Sequence, residues 1–434
     1  RMNAANANTE HRVADGRRST FTLENQHLLI GAGELEGNGR GFNFCWQWNW
    51  ALAEVHDRFL GRFDEVLSRY DVDGLELDFC RNFPFFKRFQ GFKHIGTMNR
   101  FMERAREIVR GHEKRKGREI KLMCRVASSL DACAEQGLDA EAWIREDLVD
   151  MVAISSMGHW QLENDVARAV VAAEDSGTLV YVGSSVVPKA SPQEGYESGQ
   201  PTVRRAMALN AYRQGAAGVH LFNYDYGHER ALPVDPDDPC DLPEVEYPPL
   251  FSGRMGLYGT DRFTRKDLQL LQDLANPEQL AGANRCYNLC AVKYPGDFEA
   301  QIPFKISIRG RGAGPLHSML LCVEDDIEEG RTNGRIRKTE LRLQLSEHEL
   351  NLDRLSCEVN GTLFGLDTAR TIESSAGESW LVIDDPPLRS GENRVLVVLE
   401  GTHAPNGWHR TSTGVGPNWP TLERCELLVL CDEV

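Results

Sequence analysis

No apolar run in the 434-residue chain approaches the ~20 residues that a membrane-spanning helix needs. The longest, such as Met151–Ile154 and Val395–Leu399, are a handful of residues, which excludes a transmembrane protein. A cationic surplus is also lacking. The 49 Lys and Arg against 65 Asp and Glu leave a net charge of −16, with no Lys/Arg block. A nucleic-acid partner needs a cationic face that releases counterions, so that class is excluded too. Neither a G-x-G-x-x-G fingerprint nor a P-loop occurs, which removes the usual phosphate-binding folds. The 11 cysteines are an odd number, and Cys286 and Cys290 are the only close pair. With no second pair they make neither a disulfide framework nor a zinc site, and they read as buried thiols of a reducing, cytoplasmic compartment. Polar residues follow Arg1-Met2-Asn3 with no apolar h-region, so no signal peptide is expected.

What remains is a globular composition long enough for two domains, or for one large barrel with an appendage. Val55, Phe59, Phe63, Val66, Leu67 and Tyr70 recur at helical spacing. The Asp73-Gly74 turn then leads into a strand at Leu75–Phe79. Further along, strands are expected at Lys121–Val126, Met151–Ile154, Leu179–Gly183 and Gly218–Tyr224. The helices between them are expected at Met98–Val109, Ala140–Glu146, Asn164–Asp175 and Val203–Gln214. Such alternation predicts a parallel sheet with right-handed crossovers. Polar and charged residues gather just past the strand ends, at Asp78–Arg81, Ser155–Trp160 and Asn223–Asp225, where barrel enzymes keep their chemistry. The expectation is therefore a (β/α)8 TIM-type barrel over residues 1–250, its first strands lying upstream of Arg1. A linker and helix, rich in proline before it and placed at 251–300, precede a β-sandwich or jelly roll at 301–434, marked by evenly spaced short strands and the Asn360-Gly361 turn.

Glu76 and Asp78 are the most informative residues. Strand side chains alternate, so both carboxylates share one face, roughly 6–7 Å apart. Inside a barrel they would raise one another's proton affinity and supply an acid and an anion. The structural alternative gives Glu76 hydrogen bonds within the barrel and Asp78 a substrate hydroxyl.

Tyr70-Asp71-Val72-Asp73-Gly74-Leu75-Glu76-Leu77-Asp78 followed by Arg81 resembles the fourth-strand region of bacterial glycoside-hydrolase-like (β/α)8 barrels of the family-ten-like group. Gln136–Ile144, Leu148–Val152 and Gly215–Tyr224 are similar to the same group, so the resemblance covers roughly residues 1–226. It implies a glycoside hydrolase acting on a poly- or oligosaccharide, with no metal or organic cofactor. The same strand runs parallel to the chitinase signature, but Cys80 stands where that signature has its catalytic glutamate, and a thiol is a poor acid for a glycosidic oxygen. A glycosidase needs a second carboxylate, and Asp225, past the last strand, is the best placed. Asp131 and Glu197 are weaker options. Arg81, Arg125, His159 and Asn223 are candidate hydroxyl or carboxylate binders, although Arg125 paired with Glu76 or Asp78 would be structural. Trp46, Trp48, Trp50 and Trp160 are candidates for stacking on sugar rings, with core packing as the alternative. The turns Val359–Gly361 and Leu388–Asn393 resemble those of galactose-binding-like accessory domains. A carbohydrate-binding protein on a degenerate barrel is the competing class.

Overall fold

The computed structural model describes residues 2–3, 21, 24–31, 47–80, 84–87, 89–155, 164–184, 200–221, 265–290, 316–345, 355–373, 379–399 and 422–431. Six parallel strands form one sheet: β1 (Met2–Asn3), β2 (Gly74–Asp78), β3 (Lys121–Val126), β4 (Met151–Ser155), β5 (Leu179–Ser184) and β6 (Gly218–Leu221). Their spatial order is their chain order. Each crossover therefore steps to the next neighbour in the same direction, whereas a doubly wound sheet reverses once. With right-handed crossovers, this order places the connecting helices on one side. Leu75, Leu77, Leu122, Cys124, Val152, Ile154, Val180 and Val182 face that side and share a core with Phe59, Phe63, Phe101, Met102 and Trp143.

The helices follow from their sequences. Ala53–Arg69 buries Val55, Phe59, Phe63 and Leu67 along one stripe. Ile95–Lys116 runs well past the expected Val109 and stops at Gly117, whose φ of +64° closes a left-handed cap with its N–H on the Glu113 carbonyl. Asp139 caps Ala140–Arg145 by accepting the Ala142 N–H. Gly74 is required by contact rather than by conformation, since a Cβ there would lie 2.4 Å from the Lys121 carbonyl oxygen across the β2–β3 pair.

The other face of the sheet is concave. Four strand steps separate β2 from β6, about 19 Å along a flat sheet. Yet His220 Nε2 lies 3.6 Å from Glu76 Oε1, so the sheet curls and the two side chains meet across the chord. The described strands do not close a ring.

The C-terminal half pairs two antiparallel sheets. One comprises β7 (Arg285–Cys290), β9 (Ile336–Leu345), β12 (Arg370–Glu373), β13 (Ser379–Asp384) and β15 (Leu422–Cys431). The other comprises β8 (Leu316–Val323), β10 (Leu355–Val359), β11 (Thr362–Gly365) and β14 (Gly391–Leu399). The segment 251–300, expected as linker and helix, thus contributes the strand β7, which pairs with β15. The expected strand Phe304–Arg309 and the proline-rich stretch 232–250 lie outside the described residues. The Asn360 and Asn393 amides, in the turns that resemble those of galactose-binding-like accessory domains, are used within the fold. Asn360 donates to the Pro387 carbonyl and to Asn393 Oδ1, while Asn393 donates to the Arg389 and Gly391 carbonyls.

Helix Gln200–Arg213 joins the two halves. Every residue from Thr202 to Ala211 is buried. Arg205 grips Asp273 through two bonds of 2.9 and 2.7 Å, and the Tyr212 hydroxyl donates to the Leu274 carbonyl. Asn210 acts as a surrogate strand edge: it donates to the Cys322 carbonyl and accepts from the Glu324 N–H, each at 2.9 Å.

Glu340 on β9 carries a pH prediction. Burial pushes its carboxyl up, but Lys338, Arg342 and Arg370, at 2.9, 2.6 and 2.8 Å, bring it below the ordinary value. The unfolded chain then binds the proton more readily, so this stability is present above the ordinary carboxylate pKa and is lost as pH falls through the folded one. Urea midpoints measured from about pH 6 to pH 3 should fall with acid, and less steeply in Glu340→Gln. Equal slopes would refute the assignment.

Candidate functional site

Inter-strand register defines the concave face. Asp78 is opposite Arg125, Arg125 opposite Ala153, and Ala153 opposite Tyr181. One layer on, Ser155 is opposite Gly183, and Gly183 opposite His220. Together with Glu76 and Met123, these residues line the inside of the curl near the C-terminal ends of the strands. Gly183 is demanded there, because a Cβ would come within 2.6 Å of Ser155 Oγ.

The two sequence-predicted carboxylates do lie on this face, but in different environments. Asp78 is 1% exposed. Its Oδ1 accepts the Cys80 N–H at 3.1 Å, and its Oδ2 lies 3.5 Å from Arg125 Nη1. Arg125 itself is 0% exposed. Two charges this deep compensate each other, since either alone would carry a desolvation cost of several kcal/mol. Arg125 is therefore a partner of Asp78 beneath the surface rather than a group at the mouth. Glu76 is more open, its side chain 20% exposed beside His220 at 18%. Cys80 donates its thiol to the Ser155 carbonyl at 3.4 Å. Burial, with Cys80 and Glu76 nearby, raises the Cys124 thiol far above its ordinary pKa, so it stays protonated.

The tryptophans differ from expectation. Trp48, 2% exposed, sits in the core beside Phe21, and Trp50, at 0%, packs on Phe59 and Phe101 at 4.7 and 5.0 Å. Neither offers a face to a sugar. Burial lowers the pKa of the adjacent His56, so its ring is held neutral against the Trp50 carbonyl, 2.8 Å away. Asp131 is held on the surface by Arg168 at 2.7 Å. Asp225, Arg81, His159, Trp160, Asn223, Trp46 and Glu197 lie outside the described residues.

Two features were not singled out in the sequence. His220 is one: strand alternation from Gly218 places it inside the sheet, but its partner on β2 is distant in the chain. The loop after β2 is the other. Phe85 and Phe86 anchor it, the latter stacked on His94 at 4.6 Å, whereas Phe89 and Phe92 are 87% and 61% exposed. Phe89 has a φ of +60°, a left-handed geometry unfavourable to a bulky residue. Gly91 in this loop lies against the Glu135 and Gln136 backbone, at the end of the helix Leu130–Glu135.

Among the described residues, no group of three or more His, Cys, Asp or Glu is arranged to hold a metal. No helix among them is long and apolar enough to cross a membrane. Neither a protein-family model nor a curated protein matches the chain. Among solved structures it is similar to the GH36 alpha-galactosidase AgaA from Geobacillus stearothermophilus in complex with raffinose, at 10% identity and a TM-score of 0.29, covering 88% of this chain and 43% of that one. A glucosidase from Croceicoccus marinus is similar at 10% identity and a TM-score of 0.31, covering 80% and 75% of the two chains. A Bacillus licheniformis lipase in propeptide form is similar at 9% identity and a TM-score of 0.20, covering 76% and 64%. The chain thus spans less than half the length of the alpha-galactosidase. Likeness at this level does not establish a shared fold, and no family follows from it.

Proposed function

We propose that the chain is a glycoside hydrolase of poly- or oligosaccharides, its six parallel strands being part of a (β/α)8-type barrel. The observation that carries this reading is the partly open carboxyl of Glu76 on the concave face of a sequentially ordered parallel sheet, 3.6 Å from a histidine. Glu76 is assigned the acid. It gives its proton to the glycosidic oxygen as the bond from that oxygen to the anomeric carbon breaks and the electron pair stays on oxygen. Water supplies the hydroxyl to the anomeric carbon, and its proton goes to the second carboxylate. Asp78 is tied to Arg125 and the Cys80 N–H and keeps a fixed negative charge near the reacting carbon. Asp225 is left as the candidate for the second carboxylate. The exposed rings of Phe89 and Phe92 are suited to the apolar faces of sugars.

The burial of Asp78 against Arg125 favours a second reading, a carbohydrate-binding protein on a barrel without turnover. An assay of the wild-type protein on a panel of aryl glycosides and disaccharides separates the two. Release of the leaving group, lost in Glu76→Gln, is expected. Retention on a polysaccharide affinity gel without hydrolysis would leave the binding protein.

A further inference from the structure

We propose that His220 is the positioning residue for Glu76, holding one carboxyl oxygen so that the other is aimed at the scissile oxygen; this rests on the assignment of Glu76 as the acid. Three observations carry it. First, the contact spans the sheet from β6 to β2 and depends on the curl. At 3.6 Å it needs to tighten by only a few tenths of an ångström to become a hydrogen bond, as catalytic contacts commonly do when substrate closes the site. Second, His220 Nδ1 is buried and has no hydrogen-bond partner among the described residues. A structural core histidine normally satisfies both ring nitrogens, whereas the polar contact that fixes this ring is to Glu76. Third, Gly183 is the registered neighbour of His220 on β5, and a side chain there would collide with Ser155. The glycine leaves that place to the Ser155 side chain, on the concave face next to the strand of His220. Among the described residues, the other polar side chains on that face are Asp78, Arg125, Ser155 and Tyr181. Asp78 and Arg125 lie 3.5 Å apart, and His220 is the basic group 3.6 Å from Glu76 Oε1.

A histidine acting through an acid matters only when that acid's proton matters. Unactivated leaving groups need protonation as the bond breaks, whereas a dinitrophenolate leaves without it. His220→Ala is therefore expected to lower kcat about 100-fold on a disaccharide. On the dinitrophenyl glycoside the change should stay within about twofold, with KM little altered on either. His220→Gln, which keeps an N–H donor near the Nε2 position, should recover part of the loss. A merely structural histidine would reduce both substrates alike and would lower the melting temperature, and that result overturns the proposal. The leaving-group dependence of Glu76→Gln is measured alongside. Should Glu76→Gln lack it, the acid assignment falls; should Glu76→Gln show it and His220→Ala not, only the positioning role falls. If wild type turns over no glycoside, imidazole nitrogen NMR on the intact protein decides the pairing. The His220 Nε2 resonance should move in Glu76→Gln, and an unmoved resonance overturns it.

Discussion

Arg125→Met should destabilise the protein by about 3–5 kcal/mol, enough to remove much of the stability of an ordinary domain. The substitution keeps most of the volume of the side chain but removes the guanidinium opposite the Asp78 carboxylate, which is 1% exposed. The Cys80 N–H at 3.1 Å remains, but a neutral donor does not replace a guanidinium. Combining Arg125→Met with Asp78→Leu removes both charges and is expected to recover most of the loss, because a buried pair often does no better than apolar residues of similar shape. Urea denaturation of the single and double variants measures this. A single variant within about 1 kcal/mol of wild type would mean that water or another cation serves Asp78.

Glu76→Gln should lower glycoside turnover by about 10²–10⁴-fold, the usual contribution of a placed acid. Its stability should change by no more than about 1 kcal/mol, since Glu76 is partly exposed and glutamine is isosteric. The contrast with Arg125 is the useful part. Neighbouring inward positions on adjacent strands are expected to divide into one that governs stability and one that governs chemistry. Circular dichroism and aryl-glycoside kinetics on the same preparations read both. A variant that hydrolyses as fast as wild type removes Glu76 from the mechanism.

Much of this was legible in the sequence, and the remainder has identifiable causes. Alternation along Leu75–Phe79 places Glu76 and Asp78 on one face without any tertiary information, and the apolar runs of β3 to β5 locate those strands nearly to the residue. Inter-strand register is different. Nothing within one strand says that Asp78 will sit opposite Arg125, so a pair that the sequence offered as an acid and an anion became one open carboxyl and one compensated charge. Trp48 and Trp50 follow the same logic. Their alternate spacing suits a rim as well as a core, and only the tertiary neighbours decide it, Phe21 for Trp48 and Phe59 with Phe101 for Trp50. Strand β7 escaped because Arg285, a residue type usually at the surface, is buried with Asp325 at 2.6 Å, which disguises the inward face of the strand.

Helix Gln200–Arg213 sets the terms on which this polypeptide can be divided. Its whole circumference is occupied, with Asn210 bonded into the end of β8 and Arg205 held by Asp273. A recombinant fragment ending near Leu250 would uncover Ala208 and Leu209, which pack on Leu270, Leu274 and Leu280, and would strip the partners from Arg205 and Asn210. It should be recovered in inclusion bodies, so expression work on the N-terminal half has to retain its C-terminal companion.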